Sequence, residues 1–174
     1  GRHVVEKYTT DGEKLLTIGT PGESGEDSTH FNQPTDVAIA PNGDLFVADG
    51  YGNNRIVRFD GNGQFLGTWG QLGSKPGEFS IPHAIAMDSR GRLYVADRNN
   101  VRVQIFDANG RFLDEWRDVV TPWHIWITES DEIIVCGSSP MRWRKIGVLG
   151  LPLGAPPKDQ LVMAFHPSGR MLRL

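Results

Sequence analysis

Two stretches of this chain can be laid over one another, and that self-similarity restricts the fold more than any other feature. QPTDVAIAPNGDLFVADGYGNNRIVRFDGNGQFLGTWG begins at Gln33, and IPHAIAMDSRGRLYVADRNNVRVQIFDANGRFLDEW begins at Ile81. Pro34 falls on Pro82, Gly43 on Gly91, and Val47-Ala48-Asp49 on Val95-Ala96-Asp97. After a one-residue gap Arg55 meets Arg102, Phe59 meets Phe106 and Trp69 meets Trp116. Weaker copies flank this pair. Residues 2–19 match the second half of the unit, with Tyr8 on Phe59 and Ile18 on Trp69. Residues 121–137 match the first half, and LVMAFHPSGRMLRL resumes the second half after an insertion over about 138–160.

Each unit holds four short runs with alternating apolar residues, such as TDVAIA, DLFVAD, RIVRFD and QFLGTW, parted by turn signals such as PNG and GNG. Asn-Gly turns and period-two alternation over four to six residues predict antiparallel strands, and no window carries a helical pattern. A four-stranded unit repeated radially is a β-propeller blade. The expectation is an all-β chain of about three and a half blades: an outer half-blade at 2–19, then blades at about 33–70, 81–117 and 121–174. A ring takes four to eight blades, so a longer gene or a covering chain is expected to protect the open edges.

Composition narrows the partners. The formal charge of −3 over 174 residues gives no global basic field, and Arg142, Arg144 and Lys145 form one small basic cluster, so no nucleic-acid binding is expected. No apolar run reaches the length of a membrane span, and the opening GRHVVEKY reads as a strand rather than a signal-peptide core. A secreted or periplasmic location stays open. The single cysteine, Cys136 in IIVCG, cannot form an internal disulfide and reads as a small buried hydrophobe.

Strand order predicts where a site belongs. With strands a to d running from the channel outwards, the d-to-a connection and the b-to-c turn share one face of the disc, and loops of this kind carry function. Before strand a stand Pro34-Thr35-Asp36, Pro82-His83-Ala84 and Pro122-Trp123-His124. After strand b stand Asp49-Gly50-Tyr51, Asp97-Arg98-Asn99 and Gly137-Ser138. His83, Tyr51 and Arg98 therefore gather on one side, with the 138–160 insertion overhanging them. Each also has a plain reading: His83 packing on the channel wall, Tyr51 closing a turn, Arg98 pairing with Asp97. Asp49 and Asp97 are expected to bond backbone amides in the b-to-c turn. His124 is one position out of phase with His83, and alternation turns it away. His3, His30 and His166 lack partner spacing and read as surface or packing residues.

The V-A-D element, the R-V/I-x-x-F run and the Pro at each strand start resemble the NHL repeat. THFNQPTDVAIAPNGDLFVADGYGNNRIVRF followed by GEFSIPHAIAMDSRGRLYVADRNNVRVQIF is similar to the peptidyl-α-hydroxyglycine α-amidating lyases, most closely over 29–117. That resemblance implies a six-bladed propeller whose zinc-dependent reaction yields a peptide amide and glyoxylate from a small peptide-like substrate. It implies that His83 is a zinc ligand, that Tyr51 takes the proton of the substrate hydroxyl, and that Arg98 lies near the substrate. The family's zinc histidines come from alternate blades, and Thr35 and Trp123 stand at the intervening positions, so His83 is one donor of an incomplete site. Zinc, and structural calcium beside it, are the cofactors expected. The alternative is a non-catalytic NHL propeller that binds a protein, peptide or glycan through the 138–160 face, where Met141, Trp143 and Leu149 to Leu151 offer apolar anchors.

Overall fold

The apolar runs fold into antiparallel sheets whose strands follow one another in the order of the chain. The computed structural model describes residues 1–117, 119–139 and 160–173. The first sheet is a hairpin, β1 (Val5–Tyr8) and β2 (Lys14–Ile18). The second holds β3 (Asp36–Ile39), β4 (Leu45–Asp49), β5 (Arg55–Phe59) and β6 (Phe65–Trp69). The third holds β7 (Pro82–Met87), β8 (Leu93–Asp97), β9 (Arg102–Phe106) and β10 (Phe112–Trp116), with one turn of 3-10 helix at Arg98–Asn100. The fourth holds β11 (Thr121–Ile127), β12 (Ile133–Ser138), β13 (Gln160–Phe165) and β14 (Met171–Arg173). These are about three and a half propeller blades, as the repeat predicts. The insertion with its apolar anchors and its basic cluster falls at 140–159, outside the described residues.

Alternation holds for the outer and inner strands but not for the middle ones of the second and third sheets. Every residue of β4, β8 and β9 is buried. Blades stack face to face, so the central strands of the second and third sheets lose water on both faces, whereas β6 is largely exposed and β12 keeps its alternation. The core between blades is built from Phe46, Ile56, Phe79, Val95 and Phe106 at one interface and from Tyr94, Val103, Trp116, Ile133 and Phe165 at the next. A tryptophan at the end of strand d, Trp69 or Trp116, seals each of these two stacks. A Cβ on Gly110 (φ +80°) would lie 2.7 Å from the Trp69 ring, and one on Gly169 (φ +83°) 2.6 Å from Trp116. Glycine is needed there for both its backbone angle and its lack of a side chain.

One clamp recurs and sets the upper face of the second and third sheets. Asp49 ends β4 and accepts from the Asn32 backbone N–H (2.8 Å), from Asn53 and from Arg55. Asp97 ends β8 and accepts from the Ser80 N–H (2.7 Å), from Asn100 and from Arg102. Here the structure corrects the sequence reading. The amide each aspartate satisfies lies in the connection entering strand a, not in the b-to-c turn, which contributes the Asn53 and Asn100 side chains instead. A buried carboxylate must fill both oxygens, and the incoming loop is what the folded blade brings within reach.

Candidate functional site

The clamps hold two backbone hydrogen bonds in equivalent places. The Tyr51 N–H donates to the Gln33 carbonyl (3.4 Å), and the Arg98 N–H donates to the Ile81 carbonyl (3.1 Å). Gln33 and Ile81 each precede the proline that opens strand a, so Tyr51 and Arg98 occupy the same place in consecutive blades. Gly50 is the extra residue that hides this in the alignment, and its missing side chain matters: a Cβ there would lie 2.0 Å from the Pro82 carbonyl oxygen.

His83 stands between them because strand β7 bulges. The β7–β8 register shifts between Pro82 and Ala84, leaving His83 out of the ladder and free to reach towards Tyr51. The three residues singled out in the sequence meet. His83 Nε2 is 3.0 Å from the Tyr51 hydroxyl, the rings packing edge to face with centroids 5.6 Å apart. Arg98 Nη1 donates to the same hydroxyl at 3.4 Å. Asp97 is occupied by Arg102, and among the described residues Arg98 has no carboxylate within ion-pair distance.

The other imidazole nitrogen decides the proton positions. His83 Nδ1 lies 2.6 Å from the Trp123 carbonyl oxygen. A carbonyl only accepts, so Nδ1 carries hydrogen and, in the neutral ring, Nε2 presents its lone pair to the Tyr51 O–H. Burial is the main influence holding the His83 imidazole below its ordinary range, and the Arg98 charge adds to it against the Trp123 contact and Asp36. Neutral His83 is thus the form the fold favours near neutral pH. His30 behaves oppositely: a hydrogen bond from Nδ1 to Asp27 (2.8 Å), with Glu23 nearby, raises its imidazole. It is therefore not the partnerless residue that its sequence context suggested. Titrating ring resonances by NMR should place the His83 midpoint below 6.5 and the His30 midpoint above it. By linkage, His30 stabilises the fold below about pH 6.5 and loses that effect as pH rises through its folded midpoint. His83 favours the fold above about 6.5 and penalises it as pH falls towards its lower one. Reversed midpoints would contradict these surroundings.

Other expectations fare differently. His124 does not join the cluster: its ring is exposed, with Nδ1 4.0 Å from an Asp36 oxygen, and the bulge sits at Trp123 instead. Cys136 is half-buried rather than buried, because Val135 takes the core side of β12. It lines a cavity of about 210 Å³ with Trp123, Gly137, Ser138 and Gln160. The residue that sequence reasoning passed over is Trp123, whose ring lies under the Arg98 guanidinium, 4.7 Å from centroid to Cζ. Its place at the strand-a position equivalent to His83 was the available signal. Among the described residues, no three of His, Cys, Asp and Glu stand close enough to hold a metal ion, and no helix is long and apolar enough to cross a membrane.

Comparison with known proteins agrees with the repeat and the fold. The NHL repeat family profile matches residues 31–59 and 79–106, the two stretches that carry the clamps. Human NHL repeat-containing protein 3 is 36% identical over 124 residues, covering 68% of this chain and 36% of that protein. A probable peptidyl-alpha-hydroxyglycine alpha-amidating lyase of Caenorhabditis elegans is 41% identical over 112 residues, covering 62% of this chain and 32% of that one. The chain thus spans about a third of the length of these two relatives. A streptogramin B lyase structure superposes on the whole chain and 48% of its own, with a TM-score of 0.64 at 15% identity, a likeness of fold alone.

Proposed function

Because this chain is an NHL-repeat β-propeller similar in sequence to the α-amidating lyases, we propose that its Tyr51–His83–Arg98 face splits a peptidyl-α-hydroxyglycine into a peptide amide and glyoxylate. The observation that carries this reading is one hydroxyl held at once by an imidazole lone pair at 3.0 Å and a guanidinium at 3.4 Å. The substrate hydroxyl gives its proton to the Tyr51 oxygen as Tyr51 passes its own to His83 Nε2. The O–H electron pair forms the new C=O bond, and the C–N bond breaks with its electrons on nitrogen, which takes back the proton from His83 Nε2 by way of the Tyr51 hydroxyl and so restores both side chains. Glyoxylate and the amide leave. Arg98 donates to the carboxylate that both substrate and glyoxylate carry, a charge-assisted pairing that planar guanidinium suits.

The described residues alone do not fit a zinc ion. A catalytic zinc takes three protein donors and keeps one position open, and here there is one imidazole, whose Nε2 lone pair is engaged by Tyr51. Any further donors in this reading come from outside the described residues. The proton path above uses only the chain's own side chains.

The carboxylate assignment has its own test. Capping the substrate's carboxylate as an amide should lower kcat/KM at least about tenfold in the native protein, the loss expected of a hydrogen bond to a charged group. Equal values for capped and free substrate would remove Arg98 from its role and this reading with it.

A further inference from the structure

The Arg98 side chain is held from one side by an aromatic face that the proposed chemistry does not use. Trp123 leaves the β11–β12 ladder at a bulge between Pro122 and His124, the same irregularity that frees His83 one blade earlier. The repeat of that bulge carries the indole towards the b-to-c turn of the preceding blade, where Arg98 begins. The ring is fixed by its own Nε1–H, which donates to the Ser138 hydroxyl at 3.3 Å, and Ser138 is buried. Cζ of Arg98 then rests 4.7 Å from the ring centroid, well within the range of a cation–π contact.

Two features separate this from ordinary core packing. Trp116, which seals a blade interface, is 8% exposed, whereas Trp123 is 41% exposed and fills no core. Arg98 is fixed at its backbone by the bond to the Ile81 carbonyl and at Nη1 by Tyr51, and no carboxylate among the described residues is within ion-pair distance of it. A guanidinium resting over an aromatic ring, with N–H groups that have no partner among the described residues, is prepared for a planar anion. An arginine without such support must have its rotamers frozen as the ligand binds, and that ordering weakens affinity.

We infer that Trp123 is a positioning residue, its indole face aiming the Arg98 guanidinium at the carboxylate of a small 2-oxo or 2-hydroxy acid of glyoxylate's size. This rests on the assignment of a carboxylate to Arg98 made above. Trp123 also supports His83, but through its backbone carbonyl, so changing its side chain separates the two roles.

The test is calorimetric titration of the native protein with sodium glyoxylate. Wild type should bind saturably and Arg98→Ala should not. Trp123→Leu should bind about five- to tenfold more weakly, the loss of a partly desolvated cation–π contact, and Trp123→Phe, which keeps a π face, within about twofold of wild type. ¹⁵N spectra showing the His83 Nδ1–H tautomer retained in Trp123→Leu would establish that the loss is not a collapse of the site. Trp123→Leu binding as tightly as wild type would overturn the inference and leave the carboxylate assignment standing. No Arg98-dependent binding by wild type would overturn both. Should Trp123→Leu not fold, Trp123→Phe decides: a tenfold loss overturns the positioning role, and near-wild-type affinity supports it.

Discussion

Tyr51→Phe lowers kcat for a peptidyl-α-hydroxyglycine by about a hundredfold or more and leaves KM within a few-fold of wild type, as expected when a positioned proton acceptor is removed. The substitution deletes one oxygen. Tyr51 is 48% exposed, so the ring bears little of the fold's stability, and its edge-to-face packing on His83 survives the change. What disappears is the atom joining His83 Nε2 to Arg98. Water can satisfy both partners in its place but is not held where the substrate hydroxyl arrives. Initial rates of glyoxylate release measure the effect. An unchanged kcat would mean that the proton goes elsewhere and that the Tyr51–His83 pair is packing.

Arg102→Ala should be among the most destabilising single changes in the described part of the chain, costing roughly 3–5 kcal/mol in urea unfolding of the native protein. Arg102 is fully buried. Its guanidinium donates to Asp97 at 2.7 Å, to Glu115 at 2.7 Å, and to the carbonyls of Ser74, Lys75 and Glu78 at 2.8–3.0 Å. Burial already pushes the Asp97 carboxyl up, against the pull of the Ser80 N–H, Asn100 and Arg102. Without the arginine, a buried carboxylate and three carbonyls lose their cation together. The double change Asp97→Ala with Arg102→Ala should cost less than the sum of the singles, since it leaves no stranded charge. The contrast is Arg111, whose pair with Asp107 lies on the surface; removing it should cost about 1 kcal/mol or less. A loss that small for Arg102 would show that the clamp does not hold the blade. Activity should fall with stability here, because the tethered loop leads straight into Pro82 and His83.

Much of this architecture is legible in the residues because the repeat states each rule twice. The proline opening strand a and the V-A-D ending of strand b recur at a fixed offset, the arginine opening strand c recurs after them, and strand order alone brings Tyr51, His83 and Arg98 to one face. What stays hidden depends on contacts between blades. Gly50 shifts the alignment by one, so the equivalence of Tyr51 and Arg98 shows only in their backbone bonds. The bulges at His83 and Trp123 interrupt the alternation on which a strand reading relies. Ile81, a β-branched residue, sits at φ 58°, a costly conformation that local propensity argues against. It is held there by Pro82 on one side and by Asn54 Oδ1 of the preceding blade, which accepts its N–H at 2.8 Å. Likewise His3 Nδ1 accepts the Gln33 N–H at 3.1 Å from one blade earlier, a partner 30 residues away that no local spacing reveals.

The most direct measurement is of the reaction itself: incubate the native protein with a synthetic peptidyl-α-hydroxyglycine and quantify both products by mass spectrometry. The account predicts glyoxylate and peptide amide in equal amounts, formed well above the spontaneous rate and lost in Tyr51→Phe. Product formation no faster than in buffer, with folded protein and saturating substrate, would contradict it and leave the Tyr51–His83–Arg98 cluster without the chemistry assigned to it.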